Sequence, residues 1–354
     1  MYKYEPSDGA SPLRRFIALP GDSVLVLGAR RTPPVKTPTA STVTSVTIST
    51  SVGFRQLSVR DYAVAVSRLR PDIVVGLGDI PFVADSISRN RIDKINDRTS
   101  KWLIEQLDVS TRCGDGEAAE ARRPALFAPL LPLPVESQKS YLDILVENMC
   151  DIGGLVSYDP VCLPGLPSDV ATLPRLSLSD PRTPHHLLRE LSMGIDICTV
   201  AFVSRATDAG IALTFTFPPP PLSAGEEAQP QSLGTDMWQH VHATSITPLS
   251  LKCTCYTCTK HHRAYVQHLL VAKEMLGWVL LQIHNHQILD SFFSGIRASI
   301  AGNTFERDCT AFARYYEPEL PETSGLGPRV RGYQFKSDGP GEAKRNLKAY
   351  SNNN

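Results

Sequence analysis

The tightest constraint in this sequence is the pattern Cys253-x-Cys255-x2-Cys258. Thiols buried singly as small apolar groups have no reason to cluster within six residues. Thiolates and imidazoles are the ligands Zn²⁺ prefers, in a four-coordinate tetrahedral site. Three cysteines on one loop wrap one side of an ion, so a fourth ligand must close it from elsewhere. By spacing alone His261, His262, His268, His284 and His286 all compete. His261 and His262 follow Cys258 so closely that they would fall on the cysteines' own side. A site with four protein ligands leaves no position for water, which makes its role structural. Such an ion contributes folding free energy, because its ligands are not assembled in the unfolded chain.

The flanking pattern supplies a route for that fourth ligand. Lys260 to Leu276 places Tyr265, Leu269, Ala272 and Leu276 on one stripe, the period of a helix. Gly277 permits a turn, and Trp278 to Ser299 reads as a second helix with His284 in its second turn. Two antiparallel helices would return that turn to the cysteine loop.

Upstream, strand and helix patterns alternate. Apolar runs at Asp72–Leu77, Ala125–Leu131, Gly154–Tyr158, Arg175–Leu178 and Ile195–Val200 read as strands. Ser58 with Asp61 forms a capping box, and Pro71 stops that helix at Arg70. Tyr141, Ile144, Leu145 and Met149 mark a helix within Ser137–Cys150. Thr183 and Pro184 read as the cap and first residue of another, ended by Gly194. Gly153-Gly154 reads as a turn. Such alternation implies an α/β fold with a parallel sheet. Five strand–helix steps fall short of the eight of a closed (β/α)₈ barrel. The fold is therefore either an open sheet or a TIM-type barrel without its N-terminal part.

The expected organisation is an irregular segment at 1–57, a partial (β/α) barrel at 58–217 and a Pro-rich insertion at 218–248. A zinc-binding subdomain at 249–305 and a polar tail at 306–354 follow. Lys+Arg and Asp+Glu are both 36, so a globally basic nucleic-acid binder is not indicated. Lys252, Lys260, Arg263 and Arg297 could still form a local basic face. The longest apolar run, Leu269–Leu281, is broken by Lys273 and Glu274 and is too short to span a bilayer. Residues 1–15 lack the apolar segment of a secretory signal, and the remaining cysteines are scattered. A reducing compartment is expected.

At the cysteine cluster the sequence becomes recognisable. Cys253 to Asn285, CTCYTCTKHHRAYVQHLLVAKEMLGWVLLQIHN, resembles the zinc-binding end of the tRNA-guanine transglycosylases. The resemblance makes His284 the fourth ligand, with one zinc ion per subunit. PDIVVGLGD from Pro71, GGL from Gly153 and GIDICTVAFVSRATDAGIALTF from Gly194 resemble further family segments, so that the likeness runs from about Phe16 to Ile300. It implies a (β/α)₈ TIM-type barrel, N-terminally incomplete here, carrying a helical zinc-binding subdomain.

The family exchanges a guanine of the tRNA anticodon for a deazaguanine, using an aspartate nucleophile and further acids. The resemblance puts the nucleophile position at Thr199, where a neutral hydroxyl cannot replace a carboxylate. It puts a base-recognising acid at Gly78, with Asp79 displaced by one residue. Of a paired-arginine tRNA contact, Arg205 remains and Asp208 replaces its companion. These losses imply no catalytic residues. They point to a non-catalytic branch that pairs with a catalytic family member as a heterodimer and meets tRNA through the complex. Two alternatives stand beside it: an active transglycosylase using Asp79 or Asp196, or a zinc-dependent interaction module without an RNA role. The expected location is the cytoplasm, with peripheral attachment at the mitochondrial outer surface as a family possibility.

Overall fold

A computed structural model describes residues 11–325, except 33, 36, 38–39, 51–52, 82–86, 113–123 and 222–228. The elements, in chain order, are α1 (Pro12–Phe16), β1 (Val26–Leu27), β2 (Ser45–Thr50), β3 (Gly53–Ser58), α2 (Val59–Leu69), β4 (Ile73–Val75) and α3 (Arg89–Arg112). Then come β5 (Ala125–Leu130), α4 (Lys139–Glu147), β6 (Gly154–Ser157), α5 (Ser168–Ala171), β7 (Arg175–Ser177), α6 (Pro184–Ser192) and β8 (Ile197–Cys198). The last group is α7 (Ala201–Asp208), β9 (Ile211–Leu213), β10 (Gly234–Asp236), α8 (Tyr256–Lys260), α9 (Arg263–Val271), α10 (Met275–Ala301) and α11 (Phe305–Tyr315). The chain divides into two compact units, one holding residues 1–179 and 193–198, the other 180–192 and 199–332.

The first unit is built on a six-stranded parallel sheet in the order β1-β4-β5-β6-β7-β8. All five expected strands are present. The sixth, β1, lies in the stretch expected to be irregular, and so does the antiparallel hairpin β2–β3. A two-residue strand carries too little periodicity to be read from sequence. Its place is fixed by pairing Val26 with Ile73 and Leu27 with Val74. Parallel strands that follow one another in chain order fit a TIM-like half-barrel; the described strands do not make a full barrel. Its core runs through Ala128, Leu130, Leu131, Tyr141, Leu145 and Leu155, all fully buried.

Local signals held where they rest on backbone chemistry. The Ser58 hydroxyl accepts from the Asp61 N–H, and Arg70 closes α2 in the left-handed region. Gly194, just past α6, has φ of +91°, which glycine alone takes without strain. Two expectations need correction. Thr183 stands just before α6 and its carbonyl accepts from the Leu187 N–H, but its hydroxyl is buried with no hydrogen-bond partner among the described residues. Gly153-Gly154 is not a turn: Gly154 opens β6, and added Cβ atoms would lie 2.8 Å from Ala125 Cβ and 2.6 Å from the Phe127 ring. The pair is small because neighbouring side chains take the space.

In the second unit the segment read as a Pro-rich insertion contains β10, paired antiparallel with β9. Leu233 and Met237, on either side of it, are fully buried. The polar tail likewise begins with a helix, α11. Its Phe312 is buried and meets Phe215, Phe217 and Phe292, with centroids 5.9–6.2 Å apart. Charged and polar residues such as Glu306, Arg307, Asp308, Thr310 and Arg314 lie around Phe312 in sequence, so the segment looks polar although its core face is aromatic.

The helical pair also differs in register. The turn falls at Ala272–Glu274, with Lys273 at φ of +57°, and Gly277 lies inside α10. A Cβ at Gly277 would come 3.2 Å from Leu269 Cβ and 3.3 Å from the Leu270 nitrogen. This glycine lets two helices approach closely rather than letting the chain turn. Gly295 is tighter still, because a Cβ there would overlap the Phe217 carbonyl oxygen. Gly295→Ala should therefore destabilise this unit by about 3 kcal/mol, since backbone has to move. Chemical denaturation of wild type and variant measures the difference; an unchanged midpoint would contradict this packing.

Candidate metal centre

Cys255 caps the N-terminus of α8, its sulfur accepting from the Cys258 N–H at 3.4 Å. That cap folds the cysteine loop back on itself. α10 brings His284 to it, in the helix's third turn rather than its second because α10 begins three residues early. The three sulfurs and one imidazole nitrogen lie within 4.8 Å of one another. His284 Nδ1 is 3.3 Å from Cys258 Sγ and 3.7 Å from Cys255 Sγ. Tetrahedral bonds of about 2.3 Å to sulfur and 2.0 Å to nitrogen separate donors by roughly 3.5–3.8 Å. Donor set and spacing therefore fit a metal ion held by Cys253, Cys255, Cys258 and His284.

The other histidines that spacing allowed are engaged elsewhere. His261 stacks on Tyr265 with centroids 4.9 Å apart. His262 caps α9, its Nδ1 accepting from the Tyr265 N–H. His268 is exposed, and His286 is exposed and hydrogen-bonded to Gln282.

Burial pushes the Cys253 thiol up to about 12 and raises Cys258 as well. Burial also lowers the His284 imidazole to about 4, so it is neutral and offers a lone pair. A divalent ion would have to displace thiol protons, and its hold should weaken as pH falls.

Sequence spacing did not reveal what holds His284. Its Nε2 lies 2.9 Å from the Leu213 carbonyl, which orients the ring with Nδ1 toward the sulfurs. Its neighbour Asn285, fully buried, accepts from the Leu213 N–H at 2.8 Å. The available signal was the polar His-Asn pair in the middle of an apolar helix.

The residues of the implied catalytic positions lie elsewhere. Gly78 follows β4, and its carbonyl accepts from the Arg30 guanidinium at 2.7 Å. A Cβ at Gly78 would come 2.9 Å from Pro129 Cγ and 3.1 Å from Ile80 Cδ1. No larger side chain fits there as the chain is folded. Arg30 also hydrogen-bonds the buried Tyr158 side chain, and burial raises that phenol's pKa. Asp79 is buried and ion-paired with Arg98 at 2.9 Å, while its N–H donates to Thr99. Asp196 accepts from the Arg175 N–H at 2.8 Å, beside the β7–β8 pairing. Thr199 is half-buried just after β8. Arg205 is ion-paired with Asp180 at 2.7 Å and also donates to the Pro181 carbonyl. Of the expected basic face, Lys252, Lys260 and Arg297 are exposed, whereas Arg263 donates to the carbonyls of Pro248 and Leu249.

Residues 3–318 match the family described as queuine tRNA-ribosyltransferase. The chain belongs to the queuine tRNA-ribosyltransferase family. Within that family it is 36% identical to "queuine tRNA-ribosyltransferase accessory subunit 2" of Schizosaccharomyces pombe, over 91% of this chain and 71% of the relative. A relative of the same name from Drosophila grimshawi is 29% identical, over 81% of this chain and 70% of its own length. Both relatives carry the accessory-subunit name. Among the described residues no helix is long and apolar enough to cross a membrane.

Proposed function

We propose that this chain is a non-catalytic subunit of a heterodimeric queuine tRNA-ribosyltransferase, supporting exchange of guanine for queuine at the tRNA wobble position. It binds a zinc ion through Cys253, Cys255, Cys258 and His284, and meets tRNA together with a catalytic subunit. The carrying observation is Gly78. The position that resemblance assigns to a base-recognising acid has no room for one, and Arg30 engages the backbone beside it. Thr199, at the nucleophile position, adds a hydroxyl where the exchange needs a carboxylate. The accessory-subunit names of the relatives support the pairing.

The rival of a displaced acid meets two structural explanations. Asp79 already neutralises Arg98, and Asp196 already satisfies a backbone N–H between strands. Asp79→Asn and Asp196→Asn should each leave base exchange by the reconstituted pair within about threefold of wild type. A loss of a hundredfold or more in either, with the pair still assembled, would favour the rival. The primary test is incorporation of labelled queuine into tRNA. The chain alone should give none, the catalytic subunit alone little, and the mixture full exchange. Exchange by this chain in the absence of a partner overturns the proposal.

A further inference from the structure

We infer that Asn285 is a positioning residue of the metal centre, fixing β9 so that the Leu213 carbonyl aims His284 at the ion. The inference rests on the reading of the cluster as a metal site and goes beyond its ligand set. His284 and Asn285 are both fully buried on α10, adjacent in sequence. Together they take both backbone groups of one residue. The Leu213 N–H donates to Asn285 Oδ1 at 2.8 Å, and the Leu213 carbonyl lies 2.9 Å from His284 Nε2. Asn285 Nδ2 donates twice more, to the Ile211 carbonyl and to Thr207 Oγ1, each at 2.9 Å.

The two side chains thus act on β9 as a neighbouring strand would. β9 has β10 along one edge, through pairs such as Leu213 with Gly234 and Ile211 with Asp236. Along its other edge, the Leu213 amide and the Ile211 and Leu213 carbonyls are met by side chains of α10. Both polar atoms of the Asn285 amide are used, and the side chain is fully buried. An aspartate at this position could still accept from Leu213, but it would set a charge against the Ile211 carbonyl and could not donate. An alanine would leave a buried N–H and a buried carbonyl without partners.

This geometry links metal and strand in both directions. The ion needs His284 in one tautomer and one orientation, and Leu213 supplies both. The strand needs α10 at one height, and the ion pins α10 to the cysteine loop. Loss of an outer hydrogen-bond partner at a metal ligand commonly weakens metal binding by about 10–100-fold.

The test uses the full chain loaded with Co²⁺, whose ligand-field absorption reports the S₃N donor set directly. Competition with a chromophoric chelator gives the affinity. Asn285→Ala should weaken Co²⁺ binding by about 10–100-fold and alter the ligand-field band. Thr207→Val, which removes only one of the Asn285 bonds, should fold normally and weaken binding by a smaller factor in the same direction. Hydrogen exchange in the wild-type chain should show the Leu213 amide opening faster when the metal is removed. Wild-type affinity and spectrum in both variants overturn the inference, even if their thermal stability falls. Failure of the wild-type chain to take up Co²⁺ at the cluster overturns the metal reading itself, a distinct outcome.

Discussion

Replacing Cys255 with serine should abolish metal binding and lower the stability of the helical unit by more than about 4 kcal/mol, the range reserved for loss of a metal or a core network. Cys255 is buried against His284 and also caps α8 through its sulfur, so one substitution removes a ligand and weakens a turn. Zinc-finger peptides gain about 10–16 kcal/mol from their ion. The loss here should be smaller, because Val266, Leu270, Trp278, Leu280 and Leu281 form an apolar core that contributes folding free energy of its own. For a unit of this size the change corresponds to a fall of about 10 °C in midpoint. Chelation of the wild type should reproduce it, and acid should promote it, since thiol protons compete with the ion. Thermal scans with and without chelator, beside elemental analysis of the purified chain, decide the matter. A metal-free preparation with an unchanged midpoint would refute the centre's structural role.

How far this centre could be read in advance differs from residue to residue. Clustered thiols announce themselves because their chemistry and spacing are both local. His284 did not: five histidines fitted the pattern, and the choice depended on resemblance and then on the path of α10. Asn285 was invisible because its three bonds run to residues more than seventy positions away. The fold shows the same division. Strands β4 to β8 carry apolar runs and were legible, whereas β1 has two residues and draws its identity from a partner strand. Gly277 and Gly153-Gly154 were misread for one reason. A glycine's sequence neighbours say nothing about what packs against it, so close approach looks the same as a turn. Phe305, Phe312 and Tyr316 were likewise hidden in a polar stretch, where only the facing phenylalanines reveal a core.

Under the proposed pairing, Val279→Glu combined with Ile283→Glu should weaken association with a catalytic subunit by on the order of a hundredfold, the loss of two central anchors. Helix α10 begins with an apolar stripe that its own unit does not cover. Met275, Val279 and Ile283 are spaced by four, and they remain 54%, 49% and 39% exposed. Val271 at the end of α9 and Leu276 on α10 are exposed as well, at 56% and 45%. Together the five leave roughly 400 Å² of apolar surface in water, a size at which patches commonly mark interaction sites. Such a patch would form the centre of a standard interface of about 800 Å² per partner, with polar residues supplying the rim. The opposite side of the same helix carries His284 and Asn285, so an ordered metal centre would hold the stripe rigid for docking. Because both substituted side chains are exposed, the double variant should keep its metal and its melting temperature. Calorimetric titration of the catalytic subunit into wild type and variant separates lost binding from lost folding. Undiminished affinity would move the partner to another face, and intact affinity with lost metal would separate docking from the centre altogether.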